Sequence, residues 1–343
     1  MKYNILLIII PFLFISCVHG QQIKQEGSIV IDTDLSHALF DKFSDVRSIN
    51  WGEMPSGKMP GFVTKLIVHN DTLFVLDGYK SRAFFAYSSN GEPLFEYSML
   101  GNAPNEYLFL GDMDIDKDFI YLLDNDSHKI LILDKTGKYV KKQDVPARIS
   151  HLKVVHNTES RRQSYFFDMY NTEKARLLRR TNKKNDTLMT TPDGMANYNY
   201  SSENAFHSNG DEIIYMPSYS SSIYKLNDTD GVQNYLNIDF KGLMPDIEVF
   251  KSLNGKRSED KFRLMKEGYA YYYSFNANDT HILIGFVYED KCYLLFINRL
   301  SQATNIYDLP SEFHVLTLTN NYLYLRSEDS DNLTVVNISS LNN

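Results

Sequence analysis

The sequence predicts an all-β fold: a ring of six four-stranded antiparallel blades, the arrangement called a β-propeller. The run Leu73–Asp77 is matched 47 positions later by Ile120–Asp124, and both runs end in aspartate. The run Arg82–Tyr87 is matched by Lys129–Asp134 at the same spacing. Short apolar runs that repeat with a period in the forties, separated by Gly or Asp turns, are typical of propeller blades.

Six pairs of strand-like runs follow one another along the chain, and each pair predicts the central strands of one blade. The blades are expected at about residues 62–100, 110–144, 165–180, 212–231, 281–297 and 322–336. The last blade lacks a run for its outer strand. We therefore expect the N-terminal run Asp45–Asn50 to complete it and close the ring, which would hide an exposed strand edge.

One segment, residues 243–268, interrupts the β pattern. It carries spaced apolar residues, then Gly255 as a helix stop and Ser258 as a helix N-cap. This pattern predicts a helical insert of two short helices between blades 4 and 5, lying on one face of the disc.

The triplet Asn-Asp-Thr recurs between apolar runs, at residues 70–72, 185–187, 227–229 and 278–280. Asparagine and aspartate tolerate left-handed backbone and hydrogen-bond their own turns. The triplets therefore predict hairpin tips.

The N-terminus predicts export and a lipid anchor. The apolar run Ile5–Ile15 follows Lys2 and is too short to span a bilayer, as is typical of a signal peptide. It leads into Ser16 and Cys17, which resemble a bacterial lipobox. We expect a signal peptide at 1–16, a lipid on Cys17, a flexible tether at 17–27 and the propeller at 28–343. The alternative is an ordinary secreted protein with a chance cysteine.

Composition narrows the classes of partner. The formal net charge is −8 and no block of like charges occurs, which argues against a nucleic-acid partner. Only Cys17 and Cys292 are present, so no disulfide framework is expected. We expect a monomer held at the cell envelope, on the periplasmic or outer-membrane surface, through its lipid alone.

Four aspartates alternate along one run: Asp112, Asp114, Asp116 and Asp118. On a strand they would share one face and could gather Ca²⁺ in the central channel. The alternative is that the apolar residues between them pack inward while the acids flank a hairpin. The EF-hand pattern is not matched.

Other candidate groups are scattered. His69, His151 and His207 could approach the channel from inner strands, although single histidines on strands are usually structural. Tyr271 and Tyr273 continue an alternation from Tyr269 and could form a platform for a sugar, or pack between blades. The sequence shows no pattern of His, Cys or Gly that predicts a catalytic residue, a metal site or a cofactor.

Two threonines match a short acceptor pattern for protein O-glycosylation, an aspartate followed by threonine and an apolar residue. They are Thr72 and Thr187. Each also falls in a predicted hairpin tip, so a purely structural role in a turn is the alternative.

The run Leu100–Tyr107 carries a family resemblance through Gly101, Pro104, Glu106 and Tyr107. Placed between two blades, this crossover resembles that of the six-bladed β-propeller lipoproteins of Bacteroidota, which are similar to NHL and TolB-like propellers. The resemblance spans about residues 28–340 and is sharpest over 60–145. It implies the fold and an envelope location, but it carries no established reaction.

Three functions remain open on these observations. The first is a binding propeller for a glycan, peptide or protein, with its site on the face that carries the insert, since variable loops on a rigid scaffold build sites. The second is a propeller enzyme, a lactonase-like hydrolase or a lyase, with a divalent cation in the channel. The third is a structural subunit of an envelope complex.

Overall fold

A computed structural model describes residues 28–342 of the 343-residue chain, except 32, 34–35, 158–161, 171, 173, 183, 196–203, 210–211, 228–230, 254–267 and 329–330. Its strands form six separate sheets arranged as blades. The six-bladed propeller expected from the sequence is confirmed. The signal peptide and tether expected at 1–27 lie outside the described residues.

The N-terminal part of the chain contains β1 (Ser28–Val30), β2 (His37–Ala38), α1 (Leu39–Lys42) and β3 (Val46–Ile49). Blade 1 contains β4 (Lys65–His69), β5 (Thr72–Asp77), β6 (Ala83–Ser88) and β7 (Pro93–Tyr97). Blade 2 contains β8 (Leu110–Ile115), β9 (Phe119–Asp124), β10 (Lys129–Asp134) and β11 (Tyr139–Asp144). Blade 3 contains β12 (Ile149–Asn157), β13 (Arg162–Met169), β14 (Leu177–Thr181) and β15 (Lys184–Met189).

Blade 4 contains β16 (Phe206–Asn209), β17 (Glu212–Tyr215), β18 (Ser222–Asn227) and β19 (Gly231–Asp239). Helix α2 (Ile247–Leu253) follows it. Blade 5 contains β20 (Tyr271–Ala277), β21 (His281–Tyr288), β22 (Lys291–Asn298) and β23 (Thr304–Leu309). Blade 6 contains β24 (Phe313–Leu318), β25 (Tyr322–Ser327) and β26 (Leu333–Asn337), and a 3-10 helix (Ser339–Asn342) ends the described chain.

The central strands are apolar on both faces because each blade lies between two others. In β5, Val75 packs in a core shared with blade 6, while its neighbour Phe74 packs in a core shared with blade 2. Adjacent side chains of a strand point to opposite faces, so a strand buried on both sides reads as a continuous apolar run. This explains why the strand repeats were visible in the sequence.

The ring closes as expected from the sequence. Strand β3 pairs antiparallel with β26 and supplies the outer strand of blade 6, with Ile49 opposite Leu333. Ile49 is buried at 3% exposure, whereas Val46 at the other end of β3 is 41% exposed. The closing strand therefore has one end in the core and the other at the rim.

Two further N-terminal strands join the ring through pairings that were not expected from the sequence. Strand β1 pairs in parallel with β19, and β2 pairs in parallel with β23, so blades 4 and 5 each have five strands. The described residues between 28 and 49 thus run along the outer edges of blades 4, 5 and 6 in turn. We call these residues the N-terminal strap.

The two faces of the disc differ in their loops. We call the upper face the side of the blade-to-blade crossovers, such as residues 98–109, and of the hairpins between second and third strands, such as 78–82. The lower face carries the hairpins between first and second strands, such as residues 70–71. Helix α2 lies in the crossover from blade 4 to blade 5, on the upper face, where Phe250 packs against Met195 and Tyr271. The second helix expected in the insert falls on residues outside the described chain.

The expected hairpin tips have mixed outcomes. Asn70 and Asp71 form a tip with positive φ angles of 48° and 58°, and residues 278–280 form another. The prediction for residues 185–187 was wrong, because they lie within β15 and the tip comes earlier, at Asn182 with φ 51°. Residues 228–229 are outside the described chain. None of the described helices is long and apolar enough to cross a bilayer.

Candidate ligand-binding face

A buried aspartate organises the upper face of blade 1. Asp77, at the end of β5, is fully buried. Its Oδ2 accepts hydrogen bonds from the amides of Gly61 and Phe62 at 2.8 and 2.9 Å, and its Oδ1 accepts from the amides of Tyr79 and Lys80 at 3.2 and 2.8 Å. Burial alone would raise the pKa of Asp77, but these and neighbouring hydrogen bonds outweigh it and hold the pKa below 3.8. One carboxylate thus joins the loop before blade 1 to a hairpin within it.

The matching aspartate of blade 2 has the same role. Asp124 ends β9, and its carboxylate accepts hydrogen bonds from the amides of Leu108 and Phe109, both at 3.1 Å, and from the amide of Ser127 at 3.2 Å. The repeat at 47 residues is therefore a repeat of loop anchors. Each anchor fixes an aromatic residue near the upper surface.

These anchors support a row of three aromatic rings that we call the aromatic ledge: Phe62, Tyr79 and Phe109. The ring centroids of Phe62 and Tyr79 are 6.1 Å apart, and those of Tyr79 and Phe109 are 5.4 Å apart. Tyr79 is 67% exposed and Phe62 is 42% exposed, while Phe109 is half-buried. Contiguous apolar rings held in water by a rigid backbone are typical of a binding surface.

The hairpin that carries Tyr79 is also held from the side. A Cβ added to Gly78 would lie 2.5 Å from the carbonyl oxygen of Leu110, so only glycine permits this close approach to blade 2. Arg82, at the other end of the hairpin, donates to the carbonyl of Leu108 at 2.6 Å. The ledge therefore spans two blades as one fixed unit.

A cavity of about 310 Å³ adjoins the ledge between blades 6 and 1. We call it the seam pocket, and its lining includes Trp51, Phe62, Lys80, Arg326, Glu328 and Asp331. The guanidinium carbon of Arg326 lies 4.0 Å from the centroid of the Phe62 ring. Phe62 thus belongs to both the ledge and the pocket.

The central channel forms a second cavity of about 670 Å³, lined by residues of all six inner strands. Asp112 and Asp114 are both buried on β8, Asp114 in the wall of this cavity, and their carboxylates link the strand to blades 1 and 3. The donors to Asp112 are the ammonium of Lys65 at 2.5 Å and the amide of Leu152 at 2.7 Å, and those to Asp114 are Lys153 and the amide of Val154, both at 2.7 Å. The inner strands of neighbouring blades belong to separate sheets and share no backbone ladder. The two carboxylates supply hydrogen bonds between them instead.

The remaining two aspartates of the run flank the hairpin after β8, and the apolar residues between the four acids pack inward as the structural alternative expected. Asp116 accepts from the amides of Asp118 and Phe119 at 2.8 and 2.7 Å, from the hydroxyl of Tyr121, and lies 2.7 Å from Nε2 of His156. Across the described ranges, no three side chains of His, Cys, Asp or Glu are placed to hold a metal ion.

The three histidines singled out in the sequence are not brought together. His69 and His207 line the channel, whereas His151 lies beneath the upper face beside Asp168. Burial, followed by the charges of Lys153 and Arg299, lowers the pKa of His207 to about 3. Its imidazole is therefore neutral at physiological pH.

A buried ion pair within blade 3 is hydrogen-bonded to blade 4. Asp168, which is 1% exposed, lies 3.0 Å from Nε of Arg176 and accepts a 2.6 Å hydrogen bond from the hydroxyl of Tyr215. Burial alone would raise the pKa of Asp168, but the charge of Arg176 and the contact with His151 lower it to about 2. All these groups are engaged with each other, which indicates a structural role.

The crossover motif is likewise built from contacts within itself. Gly101 has φ 152°, and an added Cβ would lie against the carboxylate of Glu106. Glu106 accepts from the amide of Ala103 at 2.7 Å, and the buried Tyr107 donates to the carbonyl of Arg82 at 2.6 Å. Pro104 lies exposed in the turn. The motif shapes the loop that lies beside the ledge.

The other sequence candidates lie apart. Thr72 is half-buried at the start of β5, and Thr187 is exposed on the outer strand of blade 3. Tyr271 packs under α2, while Tyr273 packs in the core between blades 5 and 6, so they form no common platform. Cys17 falls outside the described residues.

The aromatic ledge itself was missed in the sequence. Its signal was available, because Gly61-Phe62 and Gly78-Tyr79 each place an aromatic residue directly after glycine, next to a strand-ending aspartate or the loop it anchors. An aromatic residue in a loop stays exposed only when its backbone is held away from the core. Here the hydrogen bonds of Asp77 hold it there.

Comparisons with known proteins agree with this architecture. The solved structure of a Bacteroides fragilis protein that is described as exported superposes with a TM-score of 0.69 at 12% identity, covering 90% of this chain and 98% of that one. A Bacteroides vulgatus member of a family of unknown function superposes with a TM-score of 0.60 at 8% identity, covering 86% of this chain and 96% of that one. No curated protein matches the sequence. A family model described as 6-bladed beta-propeller matches residues 24–336, and the chain belongs to that family.

Proposed function

We propose that the protein is a carbohydrate-binding propeller of the cell envelope, with the aromatic ledge as its binding surface. The observation that supports this proposal is the exposure of Tyr79 and Phe62 on a backbone anchored by Asp77. The ledge lies on the same face as the helical insert, although on the opposite side of the ring from it.

A sugar ring suits the ledge for chemical reasons. One face of a pyranose carries mainly C–H groups, which pack on an aromatic ring, while its hydroxyls point outward and need polar partners. Polar side chains surround the ledge on the pocket side, where Lys80 and Asp331 lie at the rim with 67% and 62% of their side chains exposed. An apolar platform with donors and acceptors at its border matches such a ligand.

Preorganisation supports binding without a large entropic cost. The amides of Phe62 and Tyr79 are already fixed by hydrogen bonds to Asp77, and that of Phe109 by Asp124. Ordering of a loop on binding reduces affinity, so a ledge that is fixed beforehand retains more of the contact energy.

The location in the envelope belongs to the same proposal. It is supported by the lipobox-like Cys17 and by the neighbour from Bacteroides fragilis that is named for export. In the native host, the N-terminal peptide should begin at Cys17 and carry acyl mass. A Cys17→Ala variant should leave the membrane fraction, and recovery of unmodified Cys17 in a mature soluble protein would contradict the lipid anchor.

The binding proposal is tested with a panel of neutral and acidic oligosaccharides, measured by isothermal titration calorimetry. Tyr79→Ala should lower the affinity of the best ligand by about 1–2 kcal/mol, or about 5- to 30-fold, because one stacking ring is removed. Tyr79→Phe keeps the ring and should retain most of the affinity.

The control is Leu94→Ala, which removes a 54% exposed side chain from the outer strand of the same blade. It should leave affinity unchanged. Absence of binding to the whole panel, or equal losses in Tyr79→Ala and Leu94→Ala, would contradict a carbohydrate site on the ledge.

A further inference from the structure

The three rings of the aromatic ledge do not lie in one plane. The plane of Tyr79 makes an angle of 80° with that of Phe62 and of 58° with that of Phe109. The centroid distances of 6.1 and 5.4 Å are within the range of direct ring–ring contact. The ledge is therefore a strongly bent surface, on which neighbouring rings offer faces of different orientation.

The backbone fixes the orientation of Tyr79 against Phe109. The amide of Tyr79 donates to the buried Asp77 at 3.2 Å, and the amide of Phe109 donates to Asp124 at 3.1 Å. The carbonyl of Phe109 also accepts from the amide of Asn125 at 3.0 Å. Tyr79 contacts a ring on each side, so a rotation of its side chain away from this angle would break a ring contact. The bend is thus a fixed property of the surface.

The shape of a glycan chain depends on its linkages. A β-1,4-linked chain of glucose or mannose extends as a ribbon in which successive sugar rings are nearly parallel, because both bonds to each ring are equatorial. An α-1,4-linked or β-1,3-linked glucan forms a helix instead, and each ring is tilted against the last. A sugar stacks with its ring parallel to the aromatic ring, so two neighbouring stacked sugars take the angle between their platforms.

A flat ribbon can therefore use only one ring of the ledge. When one of its sugars is stacked on Tyr79, the next sugar meets the plane of Phe109 at the 58° that separates the two aromatic rings. It then presents its hydroxylated edge to an apolar face, which leaves those hydroxyls without partners. A chain that tilts at each linkage can place a C–H face on both rings.

We infer that the ledge binds a helical glucan, of the α-1,4 or β-1,3 kind, with consecutive sugars stacked on Tyr79 and Phe109. This inference rests on the proposed carbohydrate function. Glucose suits the two platforms because its equatorial hydroxyls lie at the border of the sugar ring and leave a face of C–H groups to stack. The hydroxyls at the border remain open to water and to the polar groups around the ledge.

The experiment compares four hexasaccharides on the full-length protein by isothermal titration calorimetry. Two are helical, with α-1,4- or β-1,3-linked glucose, and two are flat, with β-1,4-linked glucose or mannose. We expect the better helical glucan to bind about 5- to 30-fold more tightly than either flat chain, which is the effect of one additional stacked ring.

Two variants test whether the angle of the rings causes this preference. Phe109→Leu keeps an apolar side chain in the loop but removes the second platform, so it should abolish the preference for the helical glucan. It should leave the affinity for the flat chains unchanged, since these use Tyr79 alone. Leu94→Ala, on the outer strand of blade 1, is the control and should leave every affinity unchanged.

Short sugars keep the test decisive if Phe109→Leu fails to fold. In the wild-type protein, maltose can fill both platforms, whereas methyl glucoside fills one. An NMR titration should therefore show that maltose binds about 5- to 30-fold more tightly than methyl glucoside, while cellobiose gains nothing over it. An equal gain for cellobiose and maltose would overturn the inference.

The outcomes separate the two proposals. A flat hexasaccharide that binds as tightly as both helical glucans would overturn the helical ligand and leave the carbohydrate function standing. A helical preference that Phe109→Leu retains, or that Leu94→Ala also abolishes, would overturn it as well, because the ring angle would not be its cause. Binding of another sugar of the broader panel without binding of either glucan has the same meaning. No binding by any sugar would overturn the carbohydrate function, and the helical glucan with it.

Discussion

Asp77→Asn should loosen the aromatic ledge without changing the size of the side chain. The carboxylate offers two acceptor oxygens, and asparagine offers one. If that oxygen keeps the position that receives the amides of Gly61 and Phe62, the new NH₂ group faces the amides of Tyr79 and Lys80. Two donors then lose their acceptor.

The size of the effect follows from these lost hydrogen bonds. An amide left without an acceptor costs about 1–3 kcal/mol, so with two such amides we expect the free energy of unfolding to fall by about 2–6 kcal/mol. The effect on the ledge should be local, because the hairpin that carries Tyr79 loses its anchor before the strands do. Ligand affinity should fall with it, since the ring must then be ordered on binding.

Two measurements check this expectation. Urea unfolding at pH 7 gives the loss of stability, and hydrogen exchange followed by mass spectrometry reports the hairpin amides, which should exchange faster. Asp134→Asn is the control, because Asp134 accepts from the amides of Thr136 and Lys138 in an exposed turn and water can replace it. Unchanged stability together with unchanged exchange at residues 78–82 would refute the anchoring role.

The pH dependence gives a further check on the same residue. The pKa of Asp77 is lower in the folded chain than its ordinary value of 3.8, so its contribution is present above pH 3.8 and is lost as the pH falls through the folded pKa. The stability of Asp77→Asn should therefore decline less steeply over that range.

Two other changes test the frame that supports the face. Asp168→Asn should cost about 3–5 kcal/mol in urea unfolding at pH 7, because Arg176 stays buried without its carboxylate. The pKa of Asp168 is about 2, so the wild-type contribution should be lost only as the pH falls from 3.8 toward 2; a loss below about 1 kcal/mol would contradict the pairing. Ile49→Ala should cost about 2–5 kcal/mol through a cavity at the ring closure, whereas Val46→Ala on the exposed end of the same strand should cost less than about 1 kcal/mol. Equal losses would contradict the packing of the closing strand.

The fold was predictable because the blades repeat local signals. The apolar runs that end in Asp77 and Asp124 are buried on both faces. Because each blade packs between two others, the same apolar pattern recurs from blade to blade. The closing strand was predictable because the sequence of the last blade lacked a run for its outer strand. The parallel pairing of β1 and β2 was not predictable, because parallel strands share no turn and leave no signal beside either partner.

The candidate site was much less accessible to sequence reasoning. The aromatic residues chosen from the sequence, Tyr271 and Tyr273, alternate on a strand and are absorbed by packing. The exposed rings lie instead in loops, where no periodicity applies. Their exposure depends on the hydrogen bonds of the buried Asp77 carboxylate, which reach as far as the amide of Gly61, 16 residues earlier in the chain. Such tertiary contacts leave no local pattern in the sequence.

The N-terminal strap also has a consequence for biosynthesis. The strands of the strap precede the blades in the sequence, yet they find their partners in blades 4 to 6, which are made last. A nascent chain therefore cannot seal its ring until synthesis is nearly complete, and its early segments stay unpaired meanwhile. A delayed final closure of this kind makes the completed ring depend on the last blade to be synthesised.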